Sequence, residues 1–391
     1  MIYRKNELSQ LGLGCMRFPK KGNQIDIEKS TEIVKEAVAK GINYFDTAYI
    51  YPGSEEALGT ILENTGLRDK VKIATKLPIP PLKSSADFER IFARQLQRLK
   101  TDRIDYYLIH MLCDYDTWEK LLDMGIMQWL HEKIKSGKII NIGFSYHGGK
   151  AEFKRIIDAY NWDFCMIQYN YLDVNNQAGR QGLRYASEKG LPVFIMEPLR
   201  GGMLVDGIPD NAKEIFYNYN KDRTLVEWAL KWLFNQPEVS VVLSGMNSVE
   251  QIENNVKTAN DNNVGNLSEE ESAVYDRVTY EINKKVKIPC TGCGYCMPCP
   301  VGVDIPTCFS CYNETYTNKF MTGFKHYFMT TGAMSVAGSG VSLCIKCKKC
   351  RSHCPQSIDI SNRMTDVKKR LEPFWFKPVM SVARKLMSLM K

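Results

Sequence analysis

Eight cysteines fall in two tight runs towards the C-terminal end of the chain, and no other feature constrains its folding as strongly. The first run reads Cys290-x2-Cys293-x2-Cys296-x2-Cys299-Pro300, the second Cys344-x2-Cys347-x2-Cys350-x3-Cys354-Pro355. Three thiolates at every third residue let one loop wrap three corners of an iron–sulfur cubane. The proline after the fourth Cys then turns the chain towards a second site, whose cluster that Cys ligates. Structural zinc takes ligands in two separated pairs rather than four in an unbroken row. Disulfides are a poor reading for cysteines this close in a chain without a secretory signal. The runs are therefore read as ligands for two [4Fe–4S] clusters.

With 391 residues, 44% of them hydrophobic, the chain has material for one large core and a small second module. Its first residues, Met1-Ile-Tyr-Arg-Lys-Asn-Glu, form no apolar signal stretch. No run approaches the roughly eighteen apolar residues of a membrane span. Thirteen Cys without a secretory signal point to a reducing interior, so the expected location is cytoplasmic. Charge is unevenly spread: residues 284–391 hold 17 Lys and Arg against 5 Asp and Glu, and the rest is slightly acidic. Each cluster with its four thiolates would offset that by about −2. A basic electron-transfer module would attract an acidic partner such as a ferredoxin or flavodoxin, and a plain solvated basic surface explains the charge equally well. There is no helix-turn-helix cue, and nucleic acid is not expected as a partner.

Up to about residue 260, short β-rich runs alternate with amphipathic helical stretches. Strands are expected near Leu11–Gly14 and at Ile42–Asp46, Lys72–Thr75, Ile104–Ile109, Ile139–Phe144, Phe164–Gln168, Val193–Met196 and Ser240–Leu243. Helices are expected at Glu28–Ala39, Ser84–Leu99, Trp118–Lys135, Lys150–Tyr160, Ala178–Glu188 and Thr224–Phe234. Eight βα units in about 250 residues are what a (β/α)8 TIM barrel requires. A doubly wound sheet would show G-x-G-x-x-G after its first strand, and Leu11-Gly-Leu-Gly-Cys-Met16 offers half of it. The expected α/β architecture is thus a barrel over 1–267, a linker helix over 268–287, a ferredoxin-like module over 288–372 and a basic amphipathic tail over 373–391. Phe320–Met334 reads as a helical insert packing on the barrel. The tail suits a docking helix better than a membrane surface.

In a barrel of this kind chemistry sits at the C-terminal ends of the strands. Those ends offer Asp46 and Tyr51 in Asp46-Thr-Ala-Tyr-Ile-Tyr51-Pro-Gly-Ser-Glu55, Lys76 in Ala74-Thr-Lys76, and His110 in Asp105-Tyr-Tyr-Leu-Ile-His110. Here the sequence resembles the aldo-keto reductase family, over residues 1 to about 260. The resemblance implies that Tyr51 protonates a carbonyl oxygen as NAD(P)H delivers hydride to carbon. Lys76 would favour the phenolate, Asp46 would hold Lys76 charged, and His110 would orient the carbonyl.

The same resemblance carries cofactor contacts to Ser145 and Gln168 for the nicotinamide carboxamide, although the Asn common after that serine is Tyr146 here. The loop Ser244-Gly245-Met-Asn-Ser248-Val-Glu-Gln251-Ile-Glu-Asn-Asn255 would take the nucleotide phosphate on Gly245, Ser248, Gln251 and Asn255. Gly245 and Gln251 stand where many members carry Lys and Arg, so NADPH and NADH both stay open. Arg200 would bind the pyrophosphate, with a surface arginine as the plain alternative.

A barrel followed by such a module resembles a subgroup of iron–sulfur aldo-keto reductases, carried by Pro289-Cys-Thr-Gly-Cys-Gly-Tyr-Cys-Met-Pro-Cys-Pro-Val-Gly-Val-Asp-Ile-Pro306. Cys299 departs from the ferredoxin spacing, and Cys308 and Cys311 form a further pair, read as reduced buried thiols. Hydride moves two electrons, whereas a cubane passes one. Three functions therefore stand: an NAD(P)H-dependent enzyme interconverting a small-molecule carbonyl and an alcohol; a ferredoxin- or flavin-linked oxidoreductase whose clusters feed the barrel; and a non-catalytic redox-sensing protein that binds nucleotide.

Overall fold

Eight short apolar runs form eight parallel strands that close on themselves: β1 (Leu11–Gly14), β2 (Tyr44–Asp46), β3 (Lys72–Pro78), β4 (Ile104–His110), β5 (Ile139–Tyr146), β6 (Phe164–Gln168), β7 (Val193–Met196) and β8 (Val239–Ser244). This is seen in a computed structural model that describes residues 8–261, 265–290, 292, 294, 296–333, 338–354 and 358–388. Neighbours in sequence pair around the ring, and β1 closes it by pairing in parallel with both β2 and β8. All seven residues of β4 are buried, as expected of a strand covered on both faces. Inside the barrel Tyr44, Tyr106, Phe164 and Phe194 meet edge-on or tilted at 4.9–5.8 Å between ring centroids. A Cβ at Gly12 would lie 2.8 Å from Leu243 Cδ2, so the glycine admits this packing.

The helices follow their local signals. Ser84 and Asp87 form a capping box on Ser85–Leu99, as do Thr224 and Glu227 on Leu225–Phe234. Two features differ from the expectation. The stretch expected as one helix over Trp118–Lys135 is two, Tyr115–Asp123 and Ile126–Lys135, broken where Gly125 adopts φ 85°. A helix over Ser54–Thr65, which begins in the last two residues of the site motif, was not expected. Its Gly59 lets it lie directly against the end of Ser85–Leu99: a Cβ there would be 2.3 Å from Arg98 O.

The helix Glu269–Asn283, expected as a linker, packs into the barrel's own core through Val274, Tyr275, Val278 and Ile282, and the Tyr275 hydroxyl donates to Trp228 O at 2.7 Å. Beyond it a second core gathers Ile288, Phe309, Tyr327, Val341, Met364, Val367 and Leu371, with Cys290, Cys296, Cys299, Cys344, Cys350 and Cys354 packed against it. In the tail, Phe376 and Met380 of the helix Phe376–Ser388 dock into that core. The insert forms the helix Phe320–Phe328 and a π turn over Met329–Ala333. It reaches the barrel mouth, where Met329, like Ile50, packs on the pair Met111 and Cys113. Among the described residues no helix is long and apolar enough to cross a membrane.

Gly59→Ala should lower stability by about 1–3 kcal/mol through overpacking, although alanine is the better helix former by about 1 kcal/mol. Urea unfolding of the holoprotein measures it; a gain in stability would contradict the close approach.

Candidate active site

The residues of the site motif divide into those that build the mouth of the barrel and those that face it. Thr47 donates its hydroxyl to Ser54 Oγ at 2.8 Å, and Ser54 donates to Cys15 O at 3.1 Å, stitching the loop after β2 to the loop after β1. Glu55 is fully buried. It accepts from Thr75 Oγ1 at 2.6 Å and Gln95 Nε2 at 3.1 Å and pairs with Arg98 at 3.2 Å. Burial pushes the Glu55 carboxyl up against those donors. This carboxylate therefore pins the helix Ser54–Thr65 to β3 one residue before Lys76.

Lys76 lies at the bottom of the mouth. Its ammonium donates to Asp46 Oδ1 at 2.6 Å and to Thr47 O at 2.7 Å, and it sits 5.1 Å from the centre of the Tyr51 ring. Burial acts to lower the Lys76 pKa, but Asp46, Tyr51 and Cys15 outweigh it and the net direction is up. Burial also pushes the Asp46 carboxyl up, with Lys76 opposing; the two acceptors around Nζ, Asp46 Oδ1 and Thr47 O, place the proton on the lysine. Tyr51 is partly buried at the mouth. Burial pushes its phenol above the ordinary value, Lys76 opposes that, and Asp46 and Glu197 add to it. The electrostatic help expected from Lys76 is present, yet it does not overcome desolvation, so Tyr51 is held as the phenol.

His110 meets the Tyr51 ring edge-on, with centroids 6.1 Å apart. Burial, then Lys76 and His147, drives its pKa well down, so the ring is neutral, and its buried Nδ1 has no hydrogen-bond partner. The four side chains expected from the strand ends thus converge on one small region.

The expected nucleotide contacts are more scattered. Ser145 Oγ accepts from Met111 N at 2.9 Å, and Gln168 donates to Asp173 at 3.0 Å. Ser248 caps the helix Val249–Asn260 by accepting from Gln251 N, Gln251 Oε1 accepts from Asn247 N at 2.9 Å, and Asn255 donates to Ser244 Oγ at 3.2 Å. A Cβ at Gly245 would lie 2.7 Å from Arg17 Cδ. Arg17, which sequence reasoning passed over, thus lies against the phosphate loop, exposed, with its guanidinium donating to Gly201 O at 3.4 Å. Its only signal was position, three residues beyond β1. Arg200, expected at the pyrophosphate or on the surface, is instead buried and paired with Asp173 at 3.1 Å and Glu314 at 3.5 Å. Those two carboxylates supply the partners that draw it inward.

In the C-terminal module a cavity of about 410 Å³ is lined by Cys296, Cys299, Cys344, Cys347 and Cys350. Cys299 of the first run therefore opens into the same space as three thiols of the second. Cys293 lies outside the described residues. Cys308 and Cys311 are fully buried in the helix Ile305–Thr317, and burial pushes both thiols well up.

Residues 10–278 match the aldo/keto reductase family. The chain belongs to that family. Residues 289–359 match a 4Fe-4S dicluster domain, so this oxidoreductase carries an iron–sulfur module behind its barrel. Similar proteins include YqkF of Bacillus subtilis, an uncharacterized oxidoreductase, 28% identical over 68% of this chain and 90% of that protein. Among solved structures, aldo-keto reductase AKR11C1 of Bacillus halodurans is 26% identical over 69% of this chain and 92% of its own, with a TM-score of 0.57. An aldo-keto reductase of Klebsiella pneumoniae in complex with NADPH shares the fold at 24% identity, covering 70% of this chain and 91% of its own, with a TM-score of 0.56.

Glu55→Ala would leave Arg98 and Gln95 without their buried acceptor and should cost about 1–3 kcal/mol of stability. Urea unfolding followed by circular dichroism tests this, and an unchanged midpoint would remove Glu55 from the scaffold of the site.

Proposed function

We propose that the chain is an NAD(P)H-dependent enzyme that interconverts a small-molecule carbonyl and its alcohol at Asp46, Tyr51, Lys76 and His110. One observation carries this reading: a protonated lysine, fixed by Asp46 at 2.6 Å, lies 5.1 Å from the centre of a phenol ring that a neutral imidazole also faces. Bound nicotinamide would supply the hydride. Tyr51, held as the phenol, donates its proton to the carbonyl oxygen, and the charge of Lys76 stabilises the phenolate left behind. His110 is neutral, so it can donate an N–H to the same oxygen without adding a charge to the mouth.

The residues present fit a dinucleotide. The helix Val249–Asn260 directs its N-terminus at the loop holding Gly245 and Ser248, and Arg17 beside Gly245 gives that loop the cation that Gln251 lacks. The pyrophosphate is assigned to Arg17 rather than to Arg200, whose charge is already met by two carboxylates. Ser145 and Gln168 remain the assignment for the carboxamide. Nothing in the loop selects NADPH over NADH.

For the module we propose two [4Fe–4S] clusters. Cys296 and Cys299 of the first run line the cavity with Cys344, Cys347 and Cys350; Cys299 with those three would complete one ligand set by crossed ligation, although its x2 spacing departs from the ferredoxin pattern. Cys290, Cys293, Cys296 and Cys354 would form the other. Oxygen-sensitive clusters suit a reducing cytoplasm. A second reading, in which the clusters exchange electrons between the barrel and an acidic one-electron carrier, is favoured by the module's position against the barrel loops. A Cβ at Gly292 would lie 2.5 Å from Asn175 O, and Asn176 donates to Ser310 Oγ at 2.9 Å.

Tyr51→Phe should lower carbonyl-dependent NAD(P)H oxidation by about 10²- to 10⁴-fold while nucleotide still binds and the iron content is unchanged. Retained turnover would end the assignment of Tyr51. Cys299→Ala should reduce iron from about eight to about four per chain in anaerobically purified protein. Iron that stays at the wild-type level would exclude Cys299 from a cluster.

A further inference from the structure

The barrel mouth holds a second group of side chains that the carbonyl chemistry does not use. His147 follows β5, Glu197 follows β7, and His326 reaches in from the helix Phe320–Phe328 of the C-terminal module. One ligand atom from each lies within 4.8 Å of the other two. His147 is nine-tenths buried. Its Nδ1 and the Nε2 of His326 are both buried. Gln177 hydrogen-bonds the His147 ring, which leaves the buried Nε2 of His326 as the nitrogen without a partner in this group, a costly arrangement to keep without a ligand.

We propose that His147, Glu197 and His326 bind a first-row divalent cation of the zinc or ferrous class, at the seam between barrel and module. The donor set of two imidazoles and one carboxylate is the one such ions take when they keep positions open for water or substrate. The surroundings are those of a metal site. His326 Nδ1 lies 2.9 Å from Glu314 Oε2; burial opposes the charge on this imidazole, but Glu314 and Glu197 push it up to about 9, so a cation binding at Nε2 would displace a proton from that nitrogen. Glu314 is itself buried and held at 3.5 Å by Arg200, which Asp173 anchors in turn. This accounts for the inward position of Arg200: it orients the carboxylate that orients the ligand.

Backbone strain points to the same place. Glu197 has φ 56°, and Met111, Gln177 and Arg200 around the mouth have φ 55°, 52° and 50°. Non-glycine residues in this region cost energy, and they collect where a side chain must be aimed. Tetrahedral zinc with bonds near 2.0–2.1 Å sets its ligands roughly 3.3 Å apart, so ligand atoms within 4.8 Å of one another need to close by at most about 1.5 Å. Two ligands belong to the barrel and one to the module, so a bound ion would tie the two together beside Tyr51.

Zinc is the probe of choice, because cluster iron obscures an iron measurement. Anaerobically purified holoenzyme with full clusters is treated with a mild chelator and titrated with Zn²⁺ against a chromophoric competitor, and zinc K-edge absorption is recorded on the loaded protein. The expected result is one zinc per chain in a shell of nitrogen and oxygen only. His147→Ala, His326→Ala and Glu197→Gln should each weaken binding at least about 100-fold, and the positioning residue Glu314→Gln about 10- to 100-fold, with cluster absorbance unchanged. The proposal is overturned if wild-type holoenzyme takes up no zinc, or if the shell contains sulfur, which would place the ion on Cys311 or on cluster thiols. It is equally overturned if Glu197→Gln, which preserves side-chain shape, binds zinc as wild type does. The absorption spectrum needs no variant, so a misfolded mutant leaves the test intact.

Discussion

The buried ion pair between Lys76 and Asp46 is the interaction on which the rest of the site depends. Two charges taken out of water at the bottom of the barrel are tolerated because they lie 2.6 Å apart and because Thr47 O accepts a second hydrogen bond from the ammonium. Removing either partner would leave a buried charge uncompensated, at a cost of about 3–5 kcal/mol. Much of the neighbouring sequence exists to hold this pair in register. Glu55 ties the helix Ser54–Thr65 to Thr75, Ser54 ties Thr47 to the loop after β1, and Gly59 allows that helix to approach Ser85–Leu99. The pair then acts on Tyr51: the ring lies over the ammonium, and burial keeps the proton on the phenol.

Strand positions were legible because the barrel strands are buried on both faces over most of their length, Ile140 of β5 being an exception, and so read as apolar runs. The four residues from Asp46 to His110 were legible because parallel strands put their last residues on one rim, whatever their separation in sequence. What escaped detection depended on contacts between distant segments. The helix Ser54–Thr65, of which only Ser54 and Glu55 fall in the site motif, was not expected: its buried face includes a glutamate whose partners, Thr75, Gln95 and Arg98, lie twenty or more residues on. Arg200 looked like an anion-binding arginine after a strand; its partner Glu314 comes from the other module, which no local pattern could reveal. Arg17 was missed because its neighbour is Gly245, at the opposite end of the barrel sequence.

The module is not a passenger on the barrel. Met329 packs on Met111 and Cys113, Glu314 pairs with Arg200, and Ser310 accepts from Asn176. Each of these contacts falls on loops at the C-terminal ends of the strands, the face on which the chemistry sits. The same placement brings the first cysteine run, at Gly292, against the loop at Asn175. The hydride step proposed here needs no one-electron carrier, so the contact raises the question of which route the electrons follow.

That question is settled most directly by label transfer. Nicotinamide deuterated at C4 is supplied anaerobically to the holoenzyme with an aldehyde that it reduces, and the alcohol is examined by mass spectrometry and proton resonance. Direct transfer at Tyr51 predicts deuterium on the carbinol carbon, with cluster absorbance near 400 nm unchanged in the absence of the aldehyde. Alcohol that carries only solvent hydrogen, with clusters bleached by nicotinamide alone, would contradict the account and route the electrons through the iron–sulfur module.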